Sequence, residues 1–278
     1  MKFKFDHDLH LHSHLSLCSE DPAHNNERIL KYAEERDFHT VCLTNHFWDE
    51  TVEGCGGYGY EIQNYAWIKQ ALPLPKSDKV HFLFGCETEM NKDMQLGVSK
   101  ERMKEFDFII IPTTHLHFRN FTLNEEDDTV KGRANAWVKR FDAVLDKDLP
   151  FEKIGIAHLT TGCMARFMFD DRFDPRQRLL DIISEIPSDD MYRLFKKASK
   201  LGVGIEFHAG CMTFNDDEAD IMLRPYRIAK ECGCKFYCGT DAHKVCEEVG
   251  VDHFDKAIDL LGLEESDKYD VKKLWKRK

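Results

Sequence analysis

No stretch of these 278 residues approaches the roughly 20 consecutive apolar positions that a membrane-crossing helix needs. The N-terminus also lacks an apolar signal core. Charged Lys2 and Lys4 run straight into a strand-like segment, so secretion is not indicated and a cytoplasmic protein without a membrane partner is expected. An excess of positive charge is missing as well. With 39 Lys and Arg against 50 Asp and Glu, the net charge of −11 argues against broad nucleic-acid binding, which relies on clustered Lys and Arg. The one basic run, Lys272 to Lys278, reads as a solvated helix end or tail.

The ten cysteines lack the extracellular context of a disulfide framework. Cys42, Cys86 and Cys238 lie inside or at the ends of apolar runs, as reduced buried thiols do. Cys232 and Cys234, with Cys238, lack the second pair that a zinc knuckle requires. The 20 phenylalanines interleave with aliphatic residues rather than with Lys and Arg, so they suit a core better than a base-stacking surface. No internal repeat or low-complexity linker divides the chain, and a single domain over 1–278 is expected.

Apolar strand-like runs recur at residues 3–11, 39–44, 79–86, 107–112, 153–157, 202–207 and 235–239. Helical spacing appears between them: at Asn26 to Glu35, around Tyr65, Ile68 and Leu72, then at Ala134 to Leu145, Asp190 to Leu201, Ile221 to Cys232 and Phe254 to Leu261. Alternating strands and helices call for a parallel sheet with crossover helices. Polar residues decide between an open sheet and a closed one.

His10-Leu11-His12 ends the first run, and strand alternation places Asp8, His10 and His12 on one face, with His7, Leu9 and Leu11 packing on the other. His46, Glu87, His115, His158 and Asp241 with His243 each sit just past the end of a later run. An open sheet gathers its site at one switch point, whereas a barrel brings every strand end to one mouth. The distribution favours an α/β barrel.

In order, the motifs are Asp8-x-His10-x-His12, Thr44-Asn45-His46, Gly85-Cys86-Glu87, His115, Ala157-His158 and Gly239-Thr240-Asp241-Ala242-His243. This ordered set, spanning residues 6 to 244, closely resembles the polymerase and histidinol phosphatase (PHP) family. The resemblance implies a distorted seven-stranded TIM-like (β/α) barrel holding two or three divalent metals. His10, His12, Glu87 and Asp241 would surround the first metal, and Glu87 would bridge to a second held by His115 and His158. His46 and His243 would belong to a third. Glu87, Asp241 and His243 are the residues expected to carry catalysis.

The family takes one more third-site ligand from the loop after the first strand, at positions filled here by Leu17 and Cys18. Leu17 cannot ligate, which leaves Cys18, or Glu20, Asp21 or His24 delivered by the loop. Asn45 also stands where the family usually has Asp. Two firmly held metals with a third, labile one is the alternative these departures leave open.

Imidazole mixed with carboxylate suits zinc, manganese or iron. Ions a few ångströms apart lower the pKa of a bridging water and clamp phosphoryl oxygens, so the expected reaction is attack of metal-activated hydroxide on a small phosphorylated metabolite. A histidinol-phosphate-like monoester is one candidate. Arg119, Arg133 and Arg166 lie near the mouth and could fork onto phosphate, Arg166 being the best placed. His208 and His117 are candidate substrate contacts, and Asp8 a partner for a ligand or a metal-bound water. His14, His24, His39, His81 and His253 read as surface or satisfied core residues. Two competitors remain: an amidohydrolase-like C–N hydrolase, although Ile111 to His115 offers no bridging lysine, and a catalytically idle metal-binding module.

Overall fold

The computed structural model describes residues 1–168, 174–249 and 254–276. Within them, β1 (His7–Leu11), β2 (Thr40–Leu43), β3 (His46–Phe47), β4 (His81–Phe84), β5 (Cys86–Thr88), β6 (Ile109–Pro112), β7 (Ile154–Ala157), β8 (Gly204–His208) and β9 (Lys235–Gly239) form two parallel sheets. One has the order β1-β2-β4 and the other β3-β5-β6-β7-β8-β9. The seven apolar runs thus become nine segments, because two runs break close to their polar ends. Thr44 and Asn45 separate β2 from β3, and Gly85 separates β4 from β5. At Gly85 a Cβ would come within 2.5 Å of the Phe108 carbonyl oxygen and 2.7 Å of Cys42 Sγ, so the break needs glycine. The end of β9 returns to β1, with the Asp241 N–H donating to the His10 carbonyl (2.8 Å) and the His12 N–H to that of Ala242 (3.0 Å).

Leu9, Cys42, Leu83, Phe108, Ile110, Ala157 and Tyr237 point inward and pack together, closed at one end by Tyr269, Val271 and Leu274. The basic C-terminal run is therefore not simply a solvated tail. Leu274 is buried in that plug and Trp275 stacks on His81, ring centroids 3.8 Å apart. Arg277 and Lys278 lie outside the described residues.

Helices α1 (Asn26–Glu35), α2 (Tyr65–Ile68), α3 (Val130–Asp146), α4 (Pro175–Glu185), α5 (Ser188–Leu201) and α6 (Ala219–Glu231) lie between strands, and α7 (Asp255–Leu261) follows the last one. Several starts are marked by side-chain caps, such as Asn25 accepting from the Arg28 N–H and Thr129 from the Gly132 N–H. Helix α4 is not among the segments expected above; it opens with an Asp174 cap and Pro175 in its first turn. In α3 the buried face carries Trp137, Phe141, Val144 and Leu145, each contributing about 1.5–3 kcal/mol on burial, and it also carries Arg133 and Arg140. No helix among the described residues is long and apolar enough to cross a membrane.

Strand β1 departs from simple alternation. Asp8 pairs with Val41 while Leu11 pairs with Leu43, so three steps on β1 face two on β2. This bulge turns Asp8 away from the face of His10, toward α1, where it accepts a hydrogen bond from the Tyr32 hydroxyl (3.3 Å); the hydroxyl of Thr240, just after β9, also donates to it (2.7 Å). Asp8 acts through backbone instead, accepting the N–H groups of His10 and Thr240. His7 is likewise more than packing, since its Nδ1 lies 2.8 Å from Asp6 Oδ1 and its Nε2 accepts the Cys238 N–H (3.0 Å).

Candidate metal centre

The C-terminal ends of the strands gather three overlapping sets of donors. His10, His12, Glu87 and Asp241 form one; Glu87, His115 and His158 a second; His12, His46 and His243 a third, the ligand atoms of each lying within 4.8 Å of one another. Glu87 touches all three. Its Oε1 is 3.2 Å from His158 Nε2 and 3.9 Å from His115 Nε2, while Oε2 is 2.9 Å from His46 Nδ1, 3.4 Å from His12 Nε2 and 3.5 Å from His10 Nε2. Asp241 Oδ1 lies 3.0 Å from His12 Nε2 and 3.2 Å from His10 Nε2. Asp241 and His158 both hold positive φ, 58° and 28°, a backbone conformation that non-glycine residues keep only where surroundings impose it.

These donors fit divalent cations. Glu87 Oε2 and Asp241 Oδ1 are buried without a hydrogen-bond partner, and a buried carboxylate needs compensating positive charge. Burial opposes charge on His10, yet the Glu206, Asp241 and Glu87 carboxylates hold its imidazolium well above the ordinary range. Burial also opposes ionisation of Glu87, but His46 and His10 hold it well below the usual carboxylate range. Protons here answer the same field that a metal ion would. His12 is pushed down to about 4 by burial and by the His243 and His46 imidazoles, leaving the neutral ring that ligates metal.

Five of the six imidazoles have an outer partner that fixes the ring. His10 Nδ1 is 2.6 Å from Glu206 Oε1, and the other oxygen of Glu206 accepts the His158 N–H (2.6 Å). His115 Nδ1 is 2.8 Å from Glu89 Oε2, and Glu89 Oε1 accepts from Arg140 (2.7 Å). His158 Nδ1 meets Thr114 Oγ1 at 2.6 Å, and His243 Nδ1 donates to the Asp241 carbonyl (2.8 Å). His12 Nδ1 lies 2.9 Å from Ser16 Oγ, whose hydroxyl donates to Asn45 Oδ1 (3.0 Å). For His10, His12, His115 and His158 this leaves Nε2 facing Glu87 or Asp241. Asn45 also accepts the Ser13 N–H (2.8 Å), so its amide anchors the turn beneath the histidines.

Residues 8–192 match the PHP domain, two thirds of the chain. The chain belongs to the PHP domain family. The match holds every donor above except Asp241 and His243. No curated protein matches. Among solved structures, the chain resembles a histidinol phosphate phosphatase from Lactococcus lactis subsp. lactis, complexed with zinc, L-histidinol and phosphate. Identity is 15%, the TM-score is 0.61, and the match covers 96% of this chain and 99% of that one, a likeness of fold.

Around the donor sets of this PHP domain the remaining residues divide. His208 turns Nε2 toward Asp241 Oδ2 (3.7 Å) while its Nδ1 accepts the Cys211 N–H (3.1 Å). His117 falls outside all three sets; it packs on Phe118 with ring centroids 3.8 Å apart, and burial with neighbouring His115 pushes it down to about 2. Arg166 is exposed, lies over the Phe167 ring at 4.7 Å, and lines a cavity of about 690 Å³ with Thr161, Cys163 and Arg176. Arg133 is no phosphate fork. It is fully buried, binds Asp128, and donates to the carbonyls of Met164 (2.8 Å) and Arg166 (3.1 Å), bracing the segment that carries Arg166. Arg119 pairs with Asp128 (2.9 Å).

Cys18 is exposed and falls outside the three donor sets; desolvation opposes ionisation of its thiol, but the His46 and His243 imidazoles pull it down to about 6. Asp21 does not join a donor set, since its oxygens accept the N–H groups of Val245 (3.0 Å) and Ala23 (3.0 Å). His24 is buried, 3.4 Å from Glu248, and His14 and His81 are exposed. His253 lies outside the described residues.

Glu206, Glu89, Thr114 and Ser16 are the members that sequence reasoning misses. A glutamate inside the apolar run Gly204–His208 is a usable signal, because an ionisable side chain in a buried strand needs a partner.

Proposed function

We propose that this PHP domain is a metal-dependent phosphoesterase acting on a small phosphorylated metabolite. The observation that carries the reading is Glu87, one buried carboxylate within 4 Å of the imidazoles of His10, His12, His46, His115 and His158. That arrangement suits two or three zinc, manganese or iron ions, with His10, His12, Glu87 and Asp241 around the first, Glu87, His115 and His158 around the second, and His46 with His243 at the third. Such ions supply Lewis acidity for phosphoryl oxygens and an acidified water as nucleophile.

The chain's own residues complete the work. Nδ1 of His208 accepts a backbone N–H, so its Nε2 carries the proton and can donate to a phosphoryl oxygen or to the leaving oxygen. Arg166 at the rim offers a guanidinium to the same phosphate. Outer carboxylates Glu206 and Glu89 keep the imidazoles aligned, so little reorganisation is needed on binding. The cavity beside Arg166 suits a compact organic leaving group, and a histidinol-phosphate-like monoester is one candidate, in keeping with the L-histidinol and phosphate held by the Lactococcus lactis neighbour. We read the two sheets as a single seven-path barrel, β2–β3 and β4–β5 each acting as one broken stave.

Parallel assays of phosphomonoesters, phosphodiesters and amides, with metal analysis of wild type and Glu87→Ala, test the reading. Metal-dependent phosphoester turnover lost in Glu87→Ala supports it. Amide turnover alone, or phosphoester turnover equal in both proteins, overturns it.

A further inference from the structure

The loops that follow β3, β6 and β7 meet beside the donor sets, and Arg119 ties them together. The Tyr58 hydroxyl donates to the Arg119 carbonyl (3.1 Å), and the Arg119 guanidinium donates to the Phe167 carbonyl. Aromatic rings on these loops run on from the histidines without a break. The Tyr60 hydroxyl is 3.5 Å from His46 Nδ1, and the Phe118 ring centroid lies 6.0 Å from that of His115, 6.1 Å from Tyr60, 4.7 Å from Tyr58 and 3.8 Å from His117. His117 leads on to Phe167 at 6.3 Å, and the Arg166 guanidinium sits 4.7 Å over the Phe167 ring.

Packing accounts for only part of this wall. Trp48, Tyr60 and Phe121 are buried and form a small core with Phe118 at its edge. Tyr58 and Phe167 stay 55% and 61% exposed, and both hold a left-handed backbone, with φ of 57° and 59°. Burial does not offset that strain, and strained backbone kept beside a site points to a ligand. The side chains of the wall carry no negative charge, and the neighbouring Asp128 is paired with Arg119 (2.9 Å) and Arg133 (2.5 Å).

We infer that Tyr58, His117, Phe118 and Phe167 form a specificity subsite for a planar, uncharged aromatic or heteroaromatic group on the alcohol side of the phosphoester. The inference rests on the proposed phosphoesterase reading and narrows its substrate to one recognised through a ring rather than through an ammonium group. Ring faces and edges offer offset-stacked and edge-to-face contacts to a planar group, which a saturated group of similar size cannot match. Arg166 places a cation for the phosphate against the same surface. Because the three loops are tied at Arg119, the wall is formed before the ligand arrives.

The test measures binding of non-hydrolysable phosphonates to the zinc-loaded full chain by calorimetry and does not read turnover. Benzylphosphonate is expected to bind about tenfold more tightly than cyclohexylmethylphosphonate, and 2-aminoethylphosphonate no more tightly than methylphosphonate. Phe167→Ala and Phe118→Leu each lower the benzyl-to-cyclohexylmethyl ratio to about one, whereas Phe167→Trp keeps it. A ratio near one in wild type, a ratio unchanged in either of the first two variants, or tighter binding of the aminoethyl than of the benzyl compound overturns the inference. If methylphosphonate binds only with zinc present while the wild-type ratio is near one, this inference alone falls; if no phosphonate binds, the proposed function falls with it.

Discussion

Glu206 Oε1 lies 2.6 Å from His10 Nδ1, although the two residues stand 196 positions apart. Its second oxygen holds the backbone of His158, so one buried carboxylate orients histidines of two donor sets. Glu206→Gln keeps the shape but removes the charge that orients His10. We expect a fall of about 10–100-fold in metal affinity or in metal-dependent activity, with the fold retained. A metal titration followed by calorimetry, with circular dichroism as the control, checks this. Unchanged affinity would remove Glu206 from the account.

Gly239 explains itself through the same pair. A Cβ there would sit 2.0 Å from Glu206 Oε1 and 2.8 Å from His10 Cβ. Gly239→Ala must displace one of them, so we expect about 1–3 kcal/mol of destabilisation in denaturant unfolding and weakened metal binding. A variant as stable and as tight as wild type contradicts the packing described.

Arg140 is fully buried in α3 and donates to Glu89 and to the carbonyls of Met90 (2.7 Å), Thr122 (3.2 Å) and Pro112 (3.2 Å). Arg140→Met leaves the Glu89 carboxylate buried beside His115 without its cation. A loss of about 3–5 kcal/mol is expected from urea unfolding, larger than a surface ion pair produces.

At the opposite end of β1, His7 is buried and held below its ordinary pKa of 6.5; burial lowers it and Asp6 only partly offsets this. Its Nε2 accepts the Cys238 N–H, which a protonated ring could not do. The unfolded chain therefore binds a proton that the native state refuses, and His7's contribution is full above about pH 6.5 and lost as the pH falls below it. Wild type should lose stability relative to His7→Gln as the pH falls below about 6.5, with a limiting slope of about 1.4 kcal/mol per pH unit. Parallel unfolding curves at each pH show it, and a constant difference between the two proteins rules it out.

Much of the site is legible because strand ends announce themselves. His10, His12, His46, Glu87, His115, His158, Asp241 and His243 each follow an apolar run, and the structure brings all eight into the three sets. Asp8 is misread from sequence because alternation cannot foresee a bulge, which depends on pairing with β2. Outer partners such as Glu89 and Glu206 are fixed by long-range contacts, though Glu89 shares the side of its chain with Glu87 by simple alternation. Arg133 and Arg140 lie on the same helical stripe as Trp137, Phe141 and Val144, a sign of buried cations that spacing alone reveals. Strand β3, two residues long, is too short for any periodicity to detect. Helix α4 has its signal in Asp174-Pro175 followed by Leu179, Leu180, Ile182 and Ile183.

Glu87, shared by the donor sets, is expected to assemble the hydrolytic metal centre, and metal removal and refilling test this. Wild type and Glu87→Ala are stripped with chelator, refilled with zinc, manganese or iron, and followed for bound metal and phosphomonoester turnover. Wild type is expected to take up two or three equivalents and regain activity, while Glu87→Ala binds fewer and loses more than about 100-fold of the rate. Phosphoester turnover that survives chelation, or that is equal in the two proteins, would contradict it.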